Sequence, residues 1–200
     1  MTIPEPIKKF VDIFSELPGV GPRQAIRLAF HFITSGANTI EEARSALGIL
    51  GTLKPCKNCF FITNNKTGLC DICSDERRDK RTIAIVEKET DLLSLEHTKR
   101  FRGRYLVLGD LKKNGLLDPS QKLRLKSLRD WIKKELGGTA DEIVIAVNPT
   151  TYGDLNASVI RGELQDFAKK ISSLGRGIPT GGEIEFADEE TLGEALTRRN

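Results

Sequence analysis

"TIAIVEKETDLLSLEHTKRFRGRYLVLGD", residues 82–110, runs from one short apolar stretch to another through a segment of helical character. "TIAIVE" and "YLVLGD" are apolar without alternation, which describes strands buried on both faces rather than strands with one wet side. Further along, "EIVIAV" (142–147) repeats the pattern. "QKLRLKSLRDWIKKEL" (121–136) predicts a helix with Leu125, Leu128, Ile132 and Leu136 on one face. A further helix is expected over 155–174. Strands alternating with helices predict a parallel sheet covered on both faces. "GEIEFADEETLGEAL" (182–196) reads as a strand and a short helix that Asp188 can cap.

Upstream of residue 54 the pattern is all helix. Ile7, Phe10, Val11, Phe14 and Leu17 recur at helical spacing, predicting an amphipathic helix over 5–17 that ends at Pro18. "LPGVGPRQAIRLAF" (17–30) then places Gly19 and Gly21 in a tight turn, with Pro22 at the first position of a helix. That helix is apolar on most sides, which predicts burial. Its free N-terminal amides suit an anion, and Arg23 and Arg27 follow one helical turn apart. Two helices joined by such a turn describe a helix-hairpin-helix, which holds phosphates without reading bases; the competing reading is an ordinary helical corner. "TIEEARSALGILGTL" (39–53) predicts another helix, opened by a capping box from Thr39 to Glu42.

All four cysteines fall in "CKNCFFITNNKTGLCDIC" (56–73), as Cys56, Cys59, Cys70 and Cys73. Two C-x-x-C pairs can surround one tetrahedral ion, the ligand set of a closed structural zinc site. Disulfides compete with this reading, but a reducing compartment keeps thiols free. Lys54, Lys57 and Lys66 offset part of the site's negative charge.

The chain has 200 residues, 38% hydrophobic and 30% charged, with a formal net charge of +3. This composition is that of a globular protein. No apolar run is long enough to span a membrane, and "MTIPEPIKKF" lacks the apolar core of a secretion signal, so a cytoplasmic location is expected. The charge is unevenly placed. Residues 99–134 carry twelve Lys or Arg against Asp110, Asp118 and Asp130, whereas 179–200 carry six acids against Arg198 and Arg199. Such asymmetry suits either a polyanion on one face or a well-solvated surface.

Ligands of open α/β sheets collect at the carboxyl ends of strands. Glu87 closes the first strand, Asp110 the second, and Asp154 follows the third in "NPTTYGDLNAS" (148–158). Converging there, they could hold Mg²⁺ for phosphoryl chemistry; otherwise they cap helices or pair with lysines. His31 and His97 have no neighbours that make them ligands or bases, and no Gly-x-x-x-x-Gly-Lys phosphate loop occurs.

Taken in order, "LPGVGPRQAIRLAFHF", "CKNC…CDIC", "IAIVE…RFRGRYLVLG", "IVIAVNPT" and "GRGIPTGGEIEFADEETLGEAL" resemble the RecR family of bacterial recombination mediators across nearly the whole chain. The resemblance implies a multidomain α/β protein: helix-hairpin-helix region 1–54, four-cysteine zinc finger 55–78, Toprim domain 79–177, and C-terminal strand and helix 178–200. It implies a non-enzymatic DNA-binding protein that forms ring-shaped homotetramers, exchanges its helical regions between neighbours, and acts with RecO and RecF to load recombinase on gapped DNA. Gly19, Gly21, Arg23 and Arg27 would then face DNA, the four cysteines would hold structural zinc, and Glu87 and Asp154 would lie on the surface turned toward RecO or DNA. One departure stands out. Where the family commonly has an acidic pair after "NPT", this chain has Tyr152-Gly153-Asp154, and losing a carboxylate lowers Mg²⁺ affinity. The alternative from another class is a Toprim metal-dependent enzyme, primase-like or nuclease, and a third is an adaptor that makes no DNA contact.

Overall fold

A computed structural model describes residues 3–197, so Arg198 and Arg199 lie outside the described residues. The chain divides into two compact units, Met1–Leu53 and Lys54–Asn200.

The first unit is helical: α1 (Glu5–Phe14), α2 (Pro22–Ser35) and α3 (Ala37–Leu50). The first helix stops at Phe14, three residues short of the expected end at Leu17, because the chain tightens into turns from Ser15 before it reaches Pro18. Gly19 sits at φ 79°, a left-handed conformation that glycine adopts without steric cost, and Gly21 caps α2 with Pro22 at its first position. The third helix begins two residues before the expected cap. Gly36, at φ 90°, opens it, and the Thr39 hydroxyl bonds back to the Ser35 carbonyl instead of capping. Phe10 stacks on Phe14 at 3.9 Å between ring centroids and meets Phe32 edge-on. Yet only Ile7, Ala25 and Ala29 among the described residues of this unit are buried. The burial expected for α2 is not reached within one chain, because three short helices cannot cover all their apolar sides. What remains is an apolar groove of about 670 Å³ walled by Phe10, Phe14, Phe32, Ile33 and Leu47.

The second unit opens with a small hairpin, β1 (Lys54–Pro55) and β2 (Ile62–Thr63), and the short helix α4 (Asp71–Ser74). An α/β layer follows: β3 (Thr82–Val86), α5 (Glu89–His97), β4 (Arg104–Val107), α6 (Pro119–Leu136), β5 (Ala140–Ala146), α7 (Thr151–Leu164), β6 (Ala168–Ser173) and α8 (Glu189–Thr197). The sheet is parallel throughout, in the order β4-β3-β5-β6. Ile83, Ile85, Leu106, Ile143 and Ile145 face one side, under Leu125, Leu128 and Ile132 of α6 and Ile160 and Leu164 of α7. Ala84, Val86, Tyr105 and Val107 face the other, against Leu92 of α5. Continuous apolar strands therefore serve two cores, as a doubly covered sheet requires. Asp118 and Gln121 close a reciprocal cap on α6, and Gly137 ends it in the left-handed conformation.

The structure corrects two further expectations. Residues 155–174 are not one helix: α7 stops at Leu164, a 3-10 turn spans Gln165–Phe167, and β6 becomes the fourth strand. Its sequence, "AKKISS", disguises it because an edge strand needs only one apolar side and keeps charge on its open rim. Residues 184–186 form a 3-10 turn rather than a strand, with Ile184 69% and Phe186 79% exposed, since among the described residues no strand pairs with them. Asp188 does cap α8, accepting from the Thr191 amide at 2.9 Å.

Ion pairs lace β6 to its neighbour. Lys169 lies 2.8 Å from Asp141, and Lys170 lies 2.9 Å from Glu142. Bonds from Lys169 and Arg81 lower the Asp141 pKa; bonds from Ser172 and Lys170 lower that of Glu142. A depressed folded-state pKa gives stability that is present above the ordinary carboxylate range, about pH 4, and is lost as pH falls through the folded value. Acid titration followed by hydrogen exchange is therefore expected to release β6 amides before those of β3. Because both carboxylates are partly exposed, the effect should shrink in high salt.

Candidate functional site

The four cysteines meet. Their sulfurs all lie within 4.8 Å of one another and all four residues are buried; among the described residues no other group of three or more metal-ligating side chains converges. None is in a disulfide. Cys59 and Cys70 sulfurs are 3.4 Å apart, near the edge of about 3.8 Å that a tetrahedron of metal–sulfur bonds of about 2.3 Å would give. The loop between the pairs is kept compact by hydrogen bonds: Cys56 N donates to Phe61 O at 2.6 Å, Lys57 N to Gly68 O at 3.0 Å, and the Asn65 side-chain amide to Leu69 O at 2.9 Å. Hydrogen bonds from Cys59, Cys70 and Cys73 pull the Cys56 thiol below its ordinary pKa, while the bond to Cys56 pushes Cys59 up. A cation at the centre would let every thiol ionise. The donor set fits one bound metal ion.

This module straddles the open edge of the sheet. Val107 N donates to Cys59 O at 2.8 Å, and its carbonyl accepts from Arg124 at 2.9 Å, so both backbone groups of Val107 on the exposed side of β4 are satisfied. The adjacent Phe60 and Phe61 point to opposite cores, one packing with the Ile83–Leu125 side and the other with the Val86–Leu92 side. Phe60 takes φ 64°, uncommon for an aromatic residue, and Arg124 lies over its ring. The buried Arg104 guanidinium donates to the Cys73 carbonyl. The cysteine spacing foretold a metal site; it did not foretell that the site would cover a strand edge.

In the helical unit, the N-terminus of α2 has no side-chain cap and no acidic residue in its first turn. The Arg23 and Gln24 amides there lack intrahelical partners by position. Arg23 and Arg27 are both exposed, as are Gly19 and Gly21. The arrangement is an open cationic helix entrance suited to a phosphate.

Glu87, Asp110 and Asp154 stand at the carboxyl end of the sheet but do not form one cluster. Half-buried Glu87 accepts from Leu111 N at 3.1 Å and from Asn148 at 3.3 Å. Exposed Asp110 pairs loosely with Lys88 at 3.5 Å. Asp154, in the first turn of α7, pairs with Arg176, which also holds Glu190 of α8 at 2.5 Å beside a polar cavity of about 510 Å³. Each carboxylate has an internal partner, so of the two readings open to the sequence it is pairing within the chain, not convergence on Mg²⁺, that describes them. Arg176 and Asn148 escaped the sequence reading because nothing local marks a residue whose partner lies 22 or 61 positions away.

Nor do the twelve basic residues of 99–134 share one face. Arg104 is buried, Arg124 serves the Val107 carbonyl, and Arg129 pairs with Glu163 of α7 at 2.5 Å. Lys99, Arg100 and Arg102 precede β4, whereas Lys112 and Lys113 follow it, placing them at opposite ends of a parallel strand. His31 and His97 are exposed.

Comparison with known proteins agrees with this anatomy. Residues 81–174 match the Toprim domain family, and residues 177–200 match the family described as "RecR, C-terminal". A "Recombination protein RecR" of Anaeromyxobacter sp. is 37% identical over 201 residues, covering 100% of this chain and 98% of its own. Those of Frankia casuarinae and Paenarthrobacter aurescens are 34% and 36% identical, each covering at least 95% of both chains. With a buried four-cysteine cluster, a parallel Toprim sheet and full-length identity at this level, the chain belongs to the RecR family of recombination proteins.

Proposed function

We propose that this protein is a non-enzymatic, sequence-independent DNA-binding mediator of recombinational repair. Its parts follow the boundaries 1–54, 55–78, 79–177 and 178–200. The observation that carries the DNA contact is the entrance of α2, an uncapped helix start without acids, flanked by exposed Arg23 and Arg27. Gly19 and Gly21 let the backbone approach phosphates closely. The cysteine cluster holds one structural zinc, because four thiolates form a closed tetrahedral set with no position for substrate. Self-association as a homotetrameric ring is supported by the apolar groove of the helical unit and by the exposed Ile184 and Phe186, surface that water penalises until a second copy covers it. Acting in the cytoplasm on gapped DNA, the protein works with RecO and RecF, and the Glu87–Asp154 end of the sheet is a surface open to RecO and to DNA. The partnering of each carboxylate within the chain favours this reading over a metal-dependent enzyme.

Replacing Arg23 and Arg27 by alanine together tests the DNA contact. Each lost phosphate contact should reduce the slope of log affinity against log salt by about 1, so the double variant should flatten it by about 2 per chain and weaken binding alike on all sequences. Unchanged affinity and slope would remove the hairpin from the interface. Native and denaturing gels of gapped DNA with Mg²⁺ or Mn²⁺ should show retarded, uncut strands.

A further inference from the structure

The carboxyl end of the sheet carries a feature that its acids do not explain. Tyr152 stands in the first turn of α7, 49% exposed, and Lys113 Nζ lies 5.7 Å from its ring centroid. Lys112 is exposed beside Lys113. The two backbones are tied together from beneath. Asn156, only 1% exposed, donates to both Lys112 O at 2.9 Å and Tyr152 O at 2.8 Å. Gly115, at φ 69°, seats the lysine loop on α7, with space for no side chain before Leu155. Thr150 caps the turn by accepting from Gly153 N at 3.0 Å. A flat ring with the Lys113 ammonium over it is thus presented on a rigid support, and exposed Lys112, whose charge also acts on Asp118, adjoins it along the chain.

The surrounding acids are already committed. Asp154 is held by Arg176, Asp110 by Lys88, Glu87 by Leu111 N and Asn148, and Asp118 by its cap to Gln121. At 5.7 Å the Lys113–ring contact is near the outer limit of a cation–π interaction, so the lysine can leave it for a phosphate at little cost.

We propose that Tyr152, with Lys112 and Lys113, forms a stacking site for a base of single-stranded nucleic acid. The ring takes the base face and the lysines take flanking phosphates, the combination that binds unpaired strands without sequence preference. A duplex cannot use the site, because its base faces are stacked on each other. The inference rests on the DNA-binding reading above but places a second contact on the α/β unit, independent of Arg23 and Arg27.

The test measures anisotropy with three labelled ligands: a dT 20-mer, an abasic 20-mer of equal charge, and a blunt duplex, using the zinc-loaded full chain. Tyr152→Ala should weaken the dT 20-mer by about five- to 150-fold, the range for loss of one stacked base. It should leave the abasic strand and the duplex within about twofold, and Tyr152→Phe should restore dT binding. Equal losses on all three ligands, unchanged dT binding, or no dT binding by the unsubstituted protein would each overturn the proposal. So would an acidic peptide that the double change Lys112→Glu, Lys113→Glu releases while dT binding stands; that result assigns the face to a protein partner. The Arg23→Ala, Arg27→Ala variant reads separately: unchanged duplex binding defeats the hairpin contact and leaves the base-versus-abasic comparison at Tyr152 to be judged alone.

Discussion

Stripping the metal from the four thiolates, or replacing Cys59 by serine, is expected to unfold the cysteine module and uncover the outer edge of strand β4 at the same time. Structural zinc contributes on the order of 10 kcal/mol of apparent folding free energy in small modules, and here the module has little else to hold it. Hairpin β1–β2 is two residues per strand, α4 is four residues, and the cysteines themselves form its core. The loss would reach the sheet because Val107 N donates to Cys59 O and Arg104 donates to the Cys73 carbonyl. An uncovered edge strand is also a template for aggregation. Release of the bound metal to a chromogenic chelator, followed by hydrogen exchange, should show the Val107 amide losing protection together with the module while Ile143 and Ile145 keep theirs. Retention of Val107 protection in the metal-free protein would separate module from sheet and contradict the coupling.

Changing Gly153 to alanine should cost about 3 kcal/mol, at the upper end of what overpacking normally costs. An added Cβ would lie 1.9 Å from the Asn148 carbonyl oxygen and 3.1 Å from its carbon, and both are backbone atoms that cannot rotate away. The turn from β5 into α7 must then shift, moving Asn148 from Glu87 and Thr150 from its cap. For a chain of this size the midpoint of thermal unfolding should fall by roughly 6–12 °C. Gly162, on the same helix, is the control. Its Cβ would meet nothing within 4 Å, so Gly162→Ala should gain up to about 1 kcal/mol from helix propensity. Equal behaviour of the two variants would show that the close approach at Gly153 is not what constrains the turn.

Much of the molecule was legible where chemistry is local. The cysteine quartet, the Gly19–Gly21 turn with Pro22 starting a helix, the Asp188 cap and the three continuous apolar strands all depend on residues within about twenty positions of one another. The misreadings share one cause. "AKKISS" becomes a strand only because the edge of β5 is there to receive it and Asp141 and Glu142 meet its lysines. "IEF" at 184–186 has no such edge among the described residues and stays a turn. For Glu87, Asp110 and Asp154 the sequence left a metal and internal pairing both open, since position at strand ends does not reveal that Asn148, Lys88 and Arg176 engage them.

Read as a string, the chain already specifies its parts and their order: a helical hairpin, a tetrathiolate site and a parallel α/β sheet, each written in periodicity or spacing that a short segment carries alone. Which charges are spent on the fold and which are left for a partner was set only by folding. Folding buried Arg104 under the cysteine module, divided the basic residues between two ends of the sheet, and joined Lys112 to Tyr152 through Asn156. Hydrogen bonds and ion pairs reach only a few ångströms. Which groups come within that reach is fixed when the chain closes, not by their separation along it.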